Sequence, residues 1–211
     1  MVTIIDYGAG NLRSVANAVA RLGYRVVVTD SPEQVMEATA VVLPGVGAAG
    51  DTAHRLEALG MSEAIRRLVS EDRPLLAICV GMQVLFDGTE EGGWHKCLGL
   101  LPGAVRRLPP GRKVPHMGWN QVRQAVPHPV FDGVPDGADF YFVHSYYAAP
   151  EDPGLAAAFT EYGVDMCSMV IKSNLVATQF HPEKSGRFGL KMYDNFLRMA
   201  LGEHEGGRNE R

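Results

Sequence analysis

The first eighty residues alternate short β-branched runs with segments of helical periodicity, and this alternation constrains the fold more than any other feature. Strands are predicted at 3–5, 25–28, 41–43 and 75–78, and helices at 12–22, 32–37, 51–70 and 81–86. Such alternation predicts βαβ units around a parallel sheet. The runs at 26–28 and 75–78 are apolar at every position, which is typical of parallel strands covered by helices on both faces.

From about residue 98 the pattern changes to short alternating segments broken by proline and glycine, which predicts antiparallel strands and hairpins. Strands are predicted there at 140–143, 156–159, 169–172 and 176–178, followed by a last helix at about 186–201. We therefore predict an α/β fold with an open, mostly parallel central sheet flanked by helices and an antiparallel C-terminal extension. Residues 1–201 are expected to form one domain and residues 202–211 a frayed tail.

The charge balance argues against nucleic-acid and membrane partners. The 211 residues carry 20 Lys and Arg against 24 Asp and Glu, a formal net charge of −4, and the basic residues are scattered. No uninterrupted apolar run is long enough to span a membrane, and the first residues lack the features of a secretory leader. We therefore expect a cytoplasmic protein.

The three cysteines, Cys79, Cys97 and Cys167, are odd in number and show no C-x-x-C spacing. They predict neither a disulfide framework nor a structural zinc site. We expect neither a metal ion nor an organic cofactor, so each thiol has to be judged by its surroundings.

Cys79 lies where a predicted strand, a sharp turn and the start of a helix meet, which is the setting of a nucleophile elbow. Its side chain is expected at the carboxyl end of a parallel strand, where open α/β sheets bind ligands and a helix N-terminus favours a thiolate. Gly81 lacks a Cβ and would let substrate and backbone approach closely. An inert core thiol is the alternative, and position alone does not exclude it.

His181 and Glu183 follow the predicted strand 176–178 and offer a general base together with a carboxylate that can orient it. Pro182 biases His181 towards extended conformations, which can hold the two side chains in a fixed relation. The carboxylate would set the imidazole tautomer and stabilise the imidazolium. A surface turn with solvated side chains is the alternative, and His144, at another strand end, is the competing candidate base.

The segment 41–47 runs from a strand into a glycine-rich turn. Glycines there free backbone N–H groups to point at a developing oxyanion, and the N–H of Val80 would complete the hole. A phosphate-binding loop is the competing chemistry, but no Gly-Lys-Ser/Thr follows, and Gly45-x-Gly47 falls short of a dinucleotide fingerprint. A plain turn also stays open.

Together these segments resemble the class I glutamine amidotransferases, with an oxyanion strand, a Gly/Ala-x-Cys-x-Gly elbow and a C-terminal His-Pro-Glu in that order. Further motifs resemble one branch, the glutaminase subunits of imidazole glycerol phosphate synthase in histidine biosynthesis; they span 6–11, 44–47, 115–120, 141–146 and 181–185. Val46 favours this branch, because anthranilate-type glutaminases usually have Pro-Gly-Pro-Gly and pyridoxal-phosphate-synthase glutaminases Pro-Gly-Gly there. Ala77 departs from the family elbow, which often has glycine at that position.

The resemblance implies a role for each matching position. The catalytic residues would be Cys79 as nucleophile, His181 as base and Glu183 as its orienter. The oxyanion hole would be shaped by Val46, Gly47 and Val80. Glutamine would be held by Gln83, Glu91 and Ser145, of which Glu91 directly precedes the segment 92–97, which matches the family less well. The face that meets a (β/α)8-barrel synthase subunit, in a heterodimer, would include Asn11, Trp119, Tyr141 and Lys184.

The implied activity is hydrolysis of L-glutamine to glutamate and ammonia by acyl transfer to cysteine. The ammonia would pass to a cyclase subunit that makes imidazole glycerol phosphate and aminoimidazole carboxamide ribotide. The alternatives are a glutaminase subunit of another amidotransferase, a thiol peptidase or hydrolase of the same Cys-His architecture, and a non-catalytic binding subunit. A peptidase would release no ammonia from a side-chain amide, and a binding subunit would be indifferent to the loss of Cys79.

Overall fold

The computed structural model describes residues 1–8 and 11–202. Within these ranges the chain forms two sheets and six α-helices. The strands are β1 (Val2–Ile5), β2 (Val26–Thr29), β3 (Ala40–Leu43), β4 (Leu75–Ile78), β5 (Phe86–Thr89), β6 (His95–Lys96), β7 (Leu101–Arg107), β8 (His116–Gln124), β9 (Ala138–His144), β10 (Tyr146–Pro150), β11 (Ala156–Glu161), β12 (Asp165–Lys172) and β13 (Leu175–Thr178). The helices are α1 (Leu12–Arg21), α2 (Pro32–Glu37), α3 (Ala49–Ala58), α4 (Met61–Ser70), α5 (Val80–Gln83) and α6 (Gly186–Leu201). The expected frayed tail lies outside the described residues from position 203 onward.

The larger sheet has nine strands in the order β2-β1-β3-β4-β13-β12-β11-β8-β9. Strands β2, β1, β3, β4 and β13 pair in parallel, and β1, β3, β4 and β13 are buried at every residue. The expectation of cover on both faces is wrong for β2, an edge strand whose Val28 is 44% exposed. Because β4 and β13 are parallel neighbours, the residues that follow their carboxyl ends lie side by side.

The antiparallel extension consists of β12, β11, β8 and β9, which continue the larger sheet. The predicted α/β class, with a parallel centre and an antiparallel C-terminal part, is thus confirmed. A second sheet, in the order β10-β7-β5-β6, was not predicted as a separate unit. It meets the larger sheet at the bend between β9 and β10, where Ser145 lies.

Two predicted helices differ from the structure. The helix predicted at 51–70 is two helices, α3 and α4, because Gly60 takes φ 68° in the left-handed region and interrupts the helical backbone. The helix predicted at 81–86 ends at Gln83, since residues 86–89 pair with β7 as a strand. None of the helices within 1–8 and 11–202 has the length and apolarity needed to cross a membrane.

Candidate active site

Cys79 occupies the turn between β4 and α5 with φ 55° and ψ −109°. A positive φ is uncommon for a residue with a side chain and is typical of the strained turn of a nucleophile elbow. Hydrogen bonds hold this turn: the Cys79 N–H donates to the Thr178 carbonyl at 2.6 Å, and its carbonyl accepts from the Met82 and Gln83 N–H groups. The backbone that carries the thiol is therefore held in place, and Cys79 is only 3% exposed.

Two glycines bring the loop after β3 against this elbow. A Cβ built on Gly81 would lie 2.3 Å from the Leu43 carbonyl oxygen, and one built on Gly45 would lie 2.1 Å from the Gly81 nitrogen. Neither position can carry a side chain without moving backbone. Gly81 thus permits close approach of the β3 backbone, which fixes the start of the loop, up to Gly45, relative to Cys79.

His181 and Glu183 form a buried hydrogen-bonded pair. The His181 Nδ1 atom lies 2.8 Å from Glu183 Oε1, and the two side chains are 1% and 0% exposed. His181 is extended, with φ −100° and ψ 98°, before the 3-10 turn that Pro182 begins. Since the Glu183 carboxylate accepts a hydrogen bond from the Nδ1–H group, the Nε2 atom is the one left to interact with Cys79.

The pKa of His181 reflects its two neighbours. Burial lowers this pKa, but the hydrogen bonds and charges of Cys79 and Glu183 outweigh burial and raise it to about 9. The Nε2 atom is buried and has no oxygen or nitrogen partner within the described residues, so the thiol is the group that acts on it. At neutral pH the imidazole is therefore protonated, an arrangement suited to a thiolate–imidazolium pair.

His144, the competing base, has both ring nitrogens occupied. Its Nδ1 lies 2.8 Å from the Tyr146 carbonyl oxygen and its Nε2 lies 2.9 Å from His116 Nδ1. Because a carbonyl can only accept, Nδ1 carries the proton and Nε2 accepts from His116. Burial lowers the pKa of His144 to about 3. His181 is left as the candidate base.

Asn11 makes a contact that the sequence did not suggest. Its side-chain nitrogen donates to Glu183 Oε1, the same oxygen that accepts from His181, across 172 residues of sequence. Asn11 has φ 82° and precedes α1, and asparagine is among the residues that adopt the left-handed region most readily. Its assignment to a partner face stays a prediction, whereas its observed contact is with the buried carboxylate.

A cavity of about 320 Å³ opens beside Cys79 and His181. Its lining contains all of the predicted oxyanion-hole and glutamine-holding residues, namely Val46, Gly47, Val80, Gln83, Glu91 and Ser145. The only carboxylate among the described residues that line it is Glu91, and burial raises the pKa of that carboxyl group. The cavity can therefore offer a negative charge, a sulfur nucleophile and backbone donors to one small ligand.

The predicted oxyanion hole has a fixed part and an adjustable part. Val80 is the first residue of α5, so its N–H has no acceptor within the helix. Gly47 is exposed, has φ 92°, and would have no atom within 4 Å of an added Cβ. Backbone with this freedom and space can reorient the peptide between Val46 and Gly47.

Gln83 and Gln179 form a buried polar link behind the cavity. Gln83 Nε2 lies 2.8 Å from the Tyr146 carbonyl oxygen and 3.0 Å from Gln179 Oε1. Gln179 is fully buried, and its Nε2 atom lies 3.6 Å from the Cys79 sulfur. Sequence reasoning missed Gln179, although the pairing of β13 with β4 could have placed it, because the residues after these strands are neighbours.

Cys97 and Cys167 do not line the cavity. Burial raises the pKa of the Cys97 thiol to about 11 and that of Cys167 to about 12, and both are free thiols. In the described ranges no group of three or more His, Cys, Asp or Glu side chains could hold a metal ion.

Three of the predicted partner-face residues, Trp119, Tyr141 and Lys184, lie together; we call them the aromatic cluster. Trp119 is 58% exposed, its ring centroid lies 6.1 Å from that of Tyr141, and Lys184 Nζ lies 5.9 Å from the Tyr141 centroid. The Tyr141 carbonyl accepts the His181 N–H at 2.9 Å. The cluster is thus joined through backbone to the candidate base.

Comparison with known proteins decides the family. The family model described as Glutamine amidotransferase class-I matches residues 3–200. A protein of Dehalococcoides mccartyi strain CBDB1, named imidazole glycerol phosphate synthase subunit HisH, is 63% identical over 203 residues, which cover 96% of this chain and 99% of that protein. The chain belongs to the HisH family of class I glutamine amidotransferases.

A second HisH relative, from Chloroflexus aurantiacus, is 50% identical over 204 residues and covers 95% of this chain and 96% of its own length. Solved structures share the HisH-family fold of this chain at low identity. One described as a crystal structure of glutamine amidotransferase has a TM-score of 0.75 at 21% identity, covering 95% of this chain and all of that one. PurLQS from Thermotoga maritima has a TM-score of 0.72 at 18% identity, with 94% and 97% covered. The predicted family is therefore confirmed.

Proposed function

We propose that this chain is the glutaminase subunit of an imidazole glycerol phosphate synthase, releasing ammonia from glutamine for a cyclase subunit. The observation that carries the proposal is the buried His181 imidazole, held between the Cys79 thiol and the Glu183 carboxylate beside a small cavity. Membership of the HisH family supports the same activity.

In the proposed first half-reaction, the Cys79 thiolate attacks the side-chain amide carbon of glutamine and forms a C–S bond. Backbone N–H groups at Gly47 and Val80 stabilise the oxyanion. The imidazolium of His181 then gives its proton to the leaving nitrogen as the C–N bond breaks, which releases ammonia and leaves a glutamyl thioester. Glu183 keeps the Nδ1 proton in place, so that Nε2 is the atom that transfers protons.

In the second half-reaction, water attacks the thioester carbon and gives a proton to the neutral His181. The new C–O bond forms, the C–S bond breaks, and the thiolate and imidazolium are restored; the product leaves as glutamate after its new carboxyl group gives the second water proton to solvent. Burial of the Cys79 and His181 side chains supports this cycle, because a thiolate and an imidazolium attract each other more strongly where water is excluded.

Glu91 is proposed to bind the α-ammonium group of glutamine. We expect Glu91→Gln to raise KM for glutamine by about tenfold to a hundredfold and to change kcat little, because a charge-assisted hydrogen bond is worth about 1.5–3 kcal/mol. Since the pKa of Glu91 is raised, the carboxyl group takes up its proton earlier as pH falls. The wild-type KM should therefore rise at low pH, whereas KM of the variant should vary less. Steady-state kinetics of the wild type and the variant from pH 4 to 8 measure the two KM values. A KM that is unchanged in the variant would show that Glu91 does not bind the α-ammonium group.

The aromatic cluster is proposed to meet the (β/α)8-barrel cyclase subunit. Trp119 is a large exposed side chain with Lys184 and Tyr141 beside it, the composition that protein interfaces favour. Docking there would act on the Tyr141 backbone and, through its hydrogen bond, on His181. Reorientation at Gly47 would complete the oxyanion hole only in the complex.

The test compares glutamine turnover by the purified chain alone, with the cyclase subunit, and with that subunit plus its nucleotide substrate. We expect turnover to rise by about two to three powers of ten from the first to the last, because one oxyanion donor is worth that much. Trp119→Ala should weaken activation, whereas Trp94→Ala, a tryptophan that is also 58% exposed, should not. Equal turnover in all three mixtures would show that the gating proposal is wrong even if the catalytic residues are right.

A further inference from the structure

The polar link between Gln83 and Gln179 can be assigned atom by atom. The Tyr146 carbonyl oxygen can only accept, so the Gln83 atom 2.8 Å from it is the amide nitrogen. That nitrogen has a second proton to donate, and the atom of Gln179 that lies 3.0 Å away is consequently the amide oxygen. The NH₂ group of Gln179 therefore points at the sulfur of Cys79, at 3.6 Å.

The position of Gln179 is fixed as firmly as its orientation. Its N–H donates to the Ser168 carbonyl at 2.9 Å, directly beyond the end of β13, and its side chain is fully buried. A buried N–H donor next to an ionisable thiol favours the thiolate, because a hydrogen bond to a charged group is stronger than one to a neutral group. His181 acts on the same sulfur, so two protein groups hold it.

We propose that Gln179 is a further catalytic residue of this site: its side-chain N–H donates to the Cys79 sulfur, aims it at the cavity and stabilises its negative charge. This inference rests on the proposed glutaminase function and adds to it a second donor at the nucleophile. The Tyr146 carbonyl and Gln83 act through Gln179 and are positioning groups, since they keep its nitrogen turned towards the sulfur.

The test is Gln179→Met, which keeps the length of the side chain and removes the donor. We expect kcat to fall by about tenfold to a hundredfold with KM for glutamine nearly unchanged, because Gln179 does not line the cavity. Alkylation of Cys79 by iodoacetamide, followed by mass spectrometry of its peptide, should become slower at pH 7. The dependence of the Cys79 alkylation rate on pH should move to higher pH, because the lost hydrogen-bond donor favoured the thiolate over the thiol.

Two controls separate this effect from a general structural one. Gln124→Met removes another side-chain amide, which donates to the Val134 carbonyl at 2.9 Å in β8, and should leave kcat and Cys79 alkylation at wild-type values. Cys97 is an internal reference, and its alkylation rate should be the same in every variant. A Gln179→Met protein that folds and matches the wild type in kcat and in the Cys79 pH profile would overturn the proposal.

A measurement on the wild-type chain covers the case in which Gln179→Met fails to fold. In ¹⁵N-labelled protein the side-chain amide signal of Gln179 should shift over the pH range in which Cys79 becomes reactive; a signal that does not move would equally overturn the proposal. Neither readout needs turnover. Absence of ammonia release from the wild type with its partner would refute the glutaminase function and leave the Gln179 contact to be judged by these two measurements.

Discussion

Replacing Cys79 with serine is expected to lower glutamine-dependent ammonia release by about three powers of ten or more, without loss of the fold. A hydroxyl is close in size to the thiol, so the buried elbow can keep its backbone, but it does not ionise near neutral pH and is a poor nucleophile here. Ammonia release should be measured with the cyclase subunit and its nucleotide present, and folding by circular dichroism.

The other two cysteines supply the controls. Cys97→Ser and Cys167→Ser should keep glutaminase activity per folded molecule, because neither thiol lines the cavity. A second readout comes from His181, whose pKa of about 9 depends on the Cys79 thiol as well as on Glu183. In Cys79→Ser the pKa of His181 should fall, because burial lowers it and the thiol no longer helps to raise it. An NMR titration of the imidazole ring measures this change. Comparable ammonia release by Cys79→Ser and wild type would remove Cys79 as the nucleophile.

Local sequence signals predicted the part of the fold that carries the site. The strands β1, β3 and β4 are apolar at nearly every residue, and their predicted bounds differ from the observed ones by at most one residue. Fully buried parallel strands leave this signal because both faces are covered. The elbow at Cys79 and the His-Pro-Glu segment were also legible, since strand, turn and proline effects act on neighbouring residues.

Contacts between distant segments could not be predicted in the same way. Asn11 meets Glu183 across 172 residues, and Gln179 meets Cys79 across 100, so both pairs are set by sheet order and not by local pattern. Gly60 is the opposite case: one glycine within a helical pattern is often tolerated, and only its left-handed φ of 68° reveals a break there. The sequence thus predicted the candidate reacting groups, and the structure revealed the side chains that contact them.

Replacing His181 with alanine is expected to lower glutamine turnover by about three powers of ten or more, and by more than Glu183→Gln does. The imidazole itself moves protons, whereas the carboxylate orients it. In Glu183→Gln the Asn11 donor should keep an oxygen, not an NH₂ group, next to His181 Nδ1, so the tautomer survives and mainly the charge is lost. We expect this loss to be about one to two powers of ten smaller than that of His181→Ala.

His144→Ala decides between the two candidate bases. The ring nitrogens of His144 already contact the Tyr146 carbonyl and His116. His144→Ala should therefore lower the stability of the fold, because these two partners lose their hydrogen bonds. Turnover per folded molecule should fall less than in His181→Ala. The pH profile gives an independent measure: kcat/KM of the wild type should fall as pH rises through about 9, where His181 of the free enzyme loses the proton that the leaving ammonia needs. A group whose pKa is near 3, as His144 has, would produce no such alkaline limb. Turnover that survives His181→Ala but is lost in His144→Ala would move the base to the bend between β9 and β10.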